Sequence, residues 1–208
     1  MNPVTKIVAT VLSIGGVSTA GGYAWHLSQL STLSSLIKSD EEVTQLTKDS
    51  SEGDWNEAWT SYKTSNNVWK LSNYDSNSAP QSFKDACLNK GNEKVKGIEN
   101  SEFQNFKKWC SRNYTVAEWL NKSGLSLLNN QSGDQKWNDA WKKYKSDPKN
   151  KNGSNPADND VWKINDWANN KSKDTASEGF KTMCSTKANS KIKNKKDELY
   201  GQMSNWCV

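Results

Sequence analysis

The chain has one histidine, one arginine, four cysteines and four prolines among 208 residues, and only 33% of it is apolar. Each shortage excludes something. A single His leaves no Ser/His/Asp or Cys/His arrangement to build a nucleophile. Four cysteines in two widely spaced pairs do not match the close Cys or His spacing of zinc sites. One Arg disfavours base-edge reading of DNA, where the bidentate guanidinium is the usual reader. A mean hydropathy of −0.95 rules out a polytopic membrane protein. No Gly-rich phosphate loop or dinucleotide turn follows a strand pattern, and no run of alternating β-branched residues suggests strands. On these grounds no residue receives a catalytic, cofactor-binding or metal-ligating role, and no cofactor is assigned.

What is abundant is tryptophan, with eleven residues. A disordered chain is poor in aromatics, so these rings argue for packed cores. One long apolar run exists: no charge lies between Ile7 and Trp25, Lys6 precedes it, and Asp40, Glu41 and Glu42 follow further on. Such a run, as a helix rising ~1.5 Å per residue, nearly crosses a ~30 Å hydrocarbon layer. Basic before and acidic after orients the N-terminus inside. Three readings fit: an uncleaved signal-anchor, a cleaved signal peptide with small Ser18 and Ala20 before the cut, and a buried soluble helix. The anchor over residues 1–25 is the reading adopted. It places the rest outside the cell membrane as a single-pass protein, or in the medium if the segment is cleaved, in a disulfide-permissive space. Leu27, Leu30, Leu33, Ile37, Val43 and Leu46 continue a helical stripe, read as a juxtamembrane helix over 26–50.

The remainder is a duplicated unit. Trp55-Asn56-Glu57-Ala58-Trp59-Thr60-Ser61-Tyr62-Lys63 recurs as Trp137-Asn138-Asp139-Ala140-Trp141-Lys142-Lys143-Tyr144-Lys145, and Val68-Trp69-Lys70 recurs as Val161-Trp162-Lys163. Phe83…Cys87 recurs as Phe180…Cys184, and Trp109-Cys110 as Trp206-Cys207. The offset grows from 82 to 93 to 97, so the second copy carries insertions, the first within Lys149–Asp160, which reads as an exposed loop. The repeats are set at 51–122 and 123–208. Trp55, Ala58, Trp59 and Tyr62 share one helix face, with Asp54 as the expected N-cap, Glu57 as its capping-box partner, and Asp134 as the nearest cap of the second copy. Val95, Ile98, Phe103, Phe106, Trp109 and Cys110 form a second stripe, matched by Ile192, Leu199, Tyr200, Met203, Trp206 and Cys207.

The expected fold is therefore all-α: an N-terminal membrane-spanning helix followed by two tandem disulfide-stapled helical repeats. The Trp motif reads as core, with a sugar- or base-stacking platform as its rival. The equal spacing of the cysteines favours one bridge per copy, Cys87–Cys110 and Cys184–Cys207, with buried free thiols as the alternative. Charge is uneven: residues 43–120 are neutral, whereas residues 125–208 carry +5, concentrated at Lys187, Lys191, Lys193, Lys195 and Lys196. That cluster is a candidate basic patch for glycan, nucleic acid or anionic lipid, set against a solvated helix face without a partner.

Lys outnumbers Arg 27 to 1, and Asn and Ser are abundant, a composition typical of an AT-rich genome; abundant Trp in such a genome suggests a code that reads an extra codon as Trp. With Met1-Asn2-Pro3, the apolar N-terminal segment and the paired Trp-Cys closures, the chain resembles the uncharacterised paralogous surface or secreted protein families of haemotropic mycoplasmas. The resemblance implies a surface-exposed, membrane-anchored non-enzymatic protein engaged in host contact or antigenic variation. It carries no site residues. The partners expected are the membrane, through the N-terminal helix, and a host surface molecule, with nucleic acid disfavoured. The alternatives are a basic glycan- or nucleic-acid-binding module and a secreted hydrolase.

Overall fold

The computed structural model describes residues 30–208, so the expected membrane helix of residues 1–25 lies outside the described residues. Among the described residues no helix is long and apolar enough to cross a membrane. The first unit runs β1 (Ser31–Thr32), α1 (Leu33–Lys38), β2 (Val43–Gln45), α2 (Glu52–Lys63), α3 (Gln81–Lys90), β3 (Lys94–Val95), α4 (Ser101–Cys110) and β4 (Ser111–Asn113). The second runs α5 (Val116–Lys122), α6 (Asp134–Ser146), a 3-10 turn (Pro148–Asn150), β5 (Lys151–Asn152), β6 (Asn155–Pro156), α7 (Trp167–Asn170), α8 (Glu178–Ala188) and α9 (Glu198–Trp206). The described chain is mostly helical, as expected, but short antiparallel pairs join β1 to β3, β2 to β4 and β5 to β6. These strands are two or three residues long, below the length at which alternation shows in a sequence.

Among the described residues there are two hydrophobic cores, and their border differs from the expected one. The first gathers residues from Leu33 to Cys110, the second from Val116 to Cys207. Helix α5, assigned from sequence to the first repeat, belongs to the second. The stripe over 26–50 is not one juxtamembrane helix. Leu33 and Ile37 of α1, Val43 of β2 and Leu46 are buried parts of the first core. The reason is the duplication itself: Thr32 caps α1 as Thr115 caps α5. In the first unit Leu33 N–H donates to Glu93 O at 2.9 Å; in the second Val116 N–H donates to Ser190 O at 2.9 Å. Each unit thus begins about twenty-two residues before its Trp motif.

The Trp motif is core in both copies. Trp59 and Trp141 are 1% and 0% exposed, and Tyr62 and Tyr144 are both fully buried. Trp59 stacks on Tyr62 at 5.5 Å and Trp141 on Tyr144 at 5.8 Å; Phe83 and Phe180 sit 5.2 and 5.3 Å from those indoles. The motif's Asn holds the return chain, because the Ala79 and Ala176 N–H groups donate to the amide oxygens of Asn56 and Asn138, both at 2.8 Å. The expected caps shift toward the N-terminus, by three residues in the first copy and by one in the second. Ser51, not Asp54, caps α2, and Asp54 is the N3 residue whose N–H donates to Ser51 Oγ. Helix α6 has Gly133 at its cap, with no side-chain bond, and Asp134 inside the first turn. Ile98, placed in the second stripe by its spacing, is 52% exposed.

The insertion Lys149–Asp160 is exposed along most of its length, as expected, and carries the β5–β6 hairpin; Asn150 and Asp160 near its ends are buried. Asp160 accepts the Tyr144 hydroxyl and the N–H groups of Trp162 (3.0 Å) and Ile164 (2.9 Å). Burial, and then the Asp160 carboxylate, push the Tyr144 phenol well above its ordinary value. The first unit places Asn67 in the same role, accepting from Tyr62 at 3.1 Å and from the Leu71 N–H at 2.7 Å. We therefore expect Asp160→Asn to cost less than about 1 kcal/mol, because an amide oxygen suffices next door. Asp160→Ala orphans three buried donors and should cost about 2–3 kcal/mol or more. Urea titration of the two variants distinguishes them.

Both expected disulfides are present. Cys87 is bonded to Cys110 and Cys184 to Cys207, with Cα atoms 5.4 and 5.8 Å apart. Each ties the middle of one helix to the end of the next.

Candidate functional site

The two units meet through charges supplied by residues that have separate local tasks. Glu118 is the N3 residue of α5 and closes a capping box with Thr115. Its carboxylate also takes both arms of Arg112, at 2.8 and 2.7 Å. Arg112 lies in β4, the strand linking the units, and its Nε stands 3.3 Å from Asp54 of the first unit. Lys191 of the second unit reaches the same Asp54 at 2.5 Å and Glu57 at 2.6 Å. One carboxylate of the first unit is thus clamped by two cations.

The electrostatics follow from that clamp. The Arg112 guanidinium, against the cost of burial, holds the Glu118 carboxyl below the usual range. Burial raises the Asp54 carboxyl, but Lys191 and Arg112 outweigh it and hold it low. For Lys191 burial opposes the charge and the two carboxylates overcome it, so its ammonium is held higher than usual. Depressed carboxyls contribute stability that is complete above their ordinary values, 3.8 and 4.5, and is lost as pH falls through the lowered folded values. We expect stability to fall between pH 5 and 3, and to fall less in an Asp54→Asn/Glu118→Gln variant. Guanidinium midpoints at the two pH values test this.

Beside the clamp lies a cleft of about 530 Å³ lined by Glu41, Glu42, Trp119, Lys122, Lys195 and Lys196, with Asn194. Lys122 sits 5.1 Å from the Trp119 ring and 3.8 Å from that of Tyr114; Lys195 lies 5.7 Å from Trp119. The Trp119 indole nitrogen is buried without a hydrogen-bond partner among the described residues. Cationic side chains over the Trp119 ring can hold an anionic group, with Glu41 and Glu42 in the same lining opposing it.

The five lysines of the expected patch do not form one surface. Lys191 is taken up in the clamp, Lys193 stands 3.9 Å from Glu42, and Lys187 lies over Trp162 at 5.3 Å. Only Lys195 and Lys196 line the cleft, where Lys122, unmarked in the sequence reading, joins them. Arg112 and Glu118 were also missed. The signals were there: the sole Arg of the chain, and a Thr-x-x-Glu capping box at Thr115–Glu118.

A larger groove of about 810 Å³ runs between α5, the loop before α6, and α8. Its only charged lining residues, Glu178 and Lys181, pair with each other at 2.8 Å. Among the described residues no three His, Cys, Asp or Glu side chains gather to hold a metal. Comparison with known proteins gives no matching family model, no similar curated protein and no similar solved structure.

Proposed function

We propose that the chain is a surface-exposed, non-enzymatic protein, anchored through residues 1–25 or released by cleavage there, that presents two disulfide-stapled repeats for contact with a host molecule. The observation that supports this is the matched pair of buried bridges, Cys87–Cys110 and Cys184–Cys207, with no free cysteine. Such bridges persist in oxidising spaces outside the cytoplasm. The motif that could have been a ring-stacking platform is spent on the cores, which leaves a polar Lys- and Asn-rich exterior of the kind that contacts or evades other molecules. The test is protease added to intact cells. Loss of the region after residue 30 with cytoplasmic markers intact supports the reading; full protection overturns it.

A second reading, a basic glycan-binding module, is favoured by the Lys122, Lys195 and Lys196 cleft over Trp119. Retention on immobilised heparin beyond about 0.15 M salt, lost in Lys195→Ala/Lys196→Ala, would favour it. Elution below that salt leaves the first reading standing.

A further inference from the structure

The second unit carries a group of residues that the first lacks. The copies are in register here, because Thr32 lies opposite Lys94 and Thr115 opposite Lys191. In that register Tyr114, Trp119, Lys122, Lys195 and Lys196 stand where the first unit has Ser31, Leu36, Ser39, Ile98 and Glu99. The core aromatics and the cysteines recur between the copies, whereas these five do not, and three of them are lysines. Four of the five line the cleft of about 530 Å³, a volume ordinary for a small-molecule site.

The rest of that cleft comes from the first unit. Strand β2 pairs with β4, Val43 opposite Asn113, and this brings the preceding Glu41 and Glu42 beside α5. Acids and lysines thus line one cleft, yet they do not neutralise each other. Among the described residues Lys122, Lys195, Lys196 and Glu41 form no ion pair, and Glu42 reaches only Lys193, at 3.9 Å. The rings account for this. Lys122 lies 3.8 Å from the centre of the Tyr114 ring and Lys195 5.7 Å from that of Trp119, so each ammonium is held on an aromatic face. Trp119 itself is 6% exposed, and its indole N–H is buried without an acceptor among the described residues.

We propose that this cleft binds a compact zwitterion, a phosphate joined to a primary ammonium as in a phosphoethanolamine group. The phosphate goes to Lys122, Lys195 and Lys196, whose point charges suit its several oxygens, and one oxygen takes the Trp119 N–H. The ammonium goes to Glu41 and Glu42. A long polyanion meets the two carboxylates with nothing to offset them, and a simple amine meets three lysines. The cleft is the one that favours the glycan-binding reading, but the ligand differs, and the two fail separately.

The experiment titrates the full chain, in uncharged detergent micelles, with O-phosphorylethanolamine, with ethyl phosphate, which lacks the ammonium, and with glycerophosphoethanolamine, followed by amide and indole shifts in NMR. We expect phosphorylethanolamine to bind about fivefold more tightly than ethyl phosphate, the worth of two exposed ion pairs. The shifts should centre on Glu41, Glu42, Lys122, Lys195 and the Trp119 indole N–H. In Glu41→Gln/Glu42→Gln the preference should vanish while ethyl phosphate binds as well or better; in Lys195→Ala/Lys196→Ala both phosphates should weaken. None of these four side chains is buried, so folding is not at stake. Binding of glycerophosphoethanolamine as well assigns the group to a lipid headgroup; binding of the monoester alone assigns it to a free phosphorylated amine. Equal binding of phosphorylethanolamine and ethyl phosphate, an unchanged preference in the glutamine variant, shifts centred elsewhere, or no binding at millimolar concentration would each overturn the proposal. Retention on heparin that rises in the glutamine variant, with no binding of phosphorylethanolamine, would overturn it and leave the glycan reading standing.

Discussion

Trp141→Ala is expected to cost about 3–5 kcal/mol in a denaturant titration, near the upper end for a single core truncation. The ring is fully buried. It stacks on Tyr144, meets Trp167 edge-on at 5.6 Å and lies 5.3 Å from Phe180, so its removal leaves a cavity walled by rigid aromatics that cannot collapse inward. Its indole N–H also donates to Lys173 O at 3.1 Å, pinning the loop before α8. Trp59→Ala should cost a similar amount, since Trp59 donates to Ser76 O at 3.0 Å and holds the equivalent loop. Trp141→Phe, which keeps the stacking but loses the hydrogen bond, should cost about 1–2 kcal/mol. A loss below about 1 kcal/mol for both Ala variants, with iodide quenching the ring in the native chain, would return the motif to the role of an exposed ligand platform.

The duplication was legible because its signals are chemical and local. Tryptophans at helical spacing, the Asn that ties the return loop, and the Cys pairs recur at matched positions. Lys70 and Lys163 even share the same left-handed backbone, φ 53° and 54°, after their Trp, which shows how closely Val68-Trp69-Lys70 and Val161-Trp162-Lys163 are matched. The unit's true start was not legible. Thr32-Leu33 and Thr115-Val116 share a cap and a buried apolar residue, too little to stand out beside the Trp motif, and the apolar spacing of Leu27 to Leu46 suits a continuous helix equally well. Contacts across about sixty residues of chain assign α1 to the first core, namely the pairing of β1 with β3 and the Leu33 N–H to Glu93 O bond.

The junction was hidden for a different reason. Asp54 was read as a cap because local sequence offers it that task, and its actual partners, Arg112 and Lys191, are distant in the chain. The charge count of residues 125–208 marks a basic half but not which lysine is spent on the other unit.

Removing one bridge, as Cys184→Ala/Cys207→Ala, is expected to destabilise the second unit by roughly 3 kcal/mol, the chain-entropy value for a loop of 23 residues. The first-unit pair, Cys87→Ala/Cys110→Ala, closes a loop of the same length and should cost the same. All four cysteines are at most 2% exposed. Dithiothreitol should therefore leave the native chain oxidised and reduce it only once denaturant opens the cores. Non-reducing peptide mapping should recover Cys87 with Cys110 and Cys184 with Cys207. The informative measurement is the chain lacking both bridges. Because the two lie in different cores, their losses should add to within about 0.5 kcal/mol. A single transition lowered by the full sum would mean that the Asp54, Arg112 and Lys191 clamp couples the units strongly enough for them to unfold as one; two transitions, each lowered by its own loss, would mean that they unfold apart. A Cys87–Cys184 or Cys87–Cys207 peptide in the wild-type map would refute the separation into two stapled repeats.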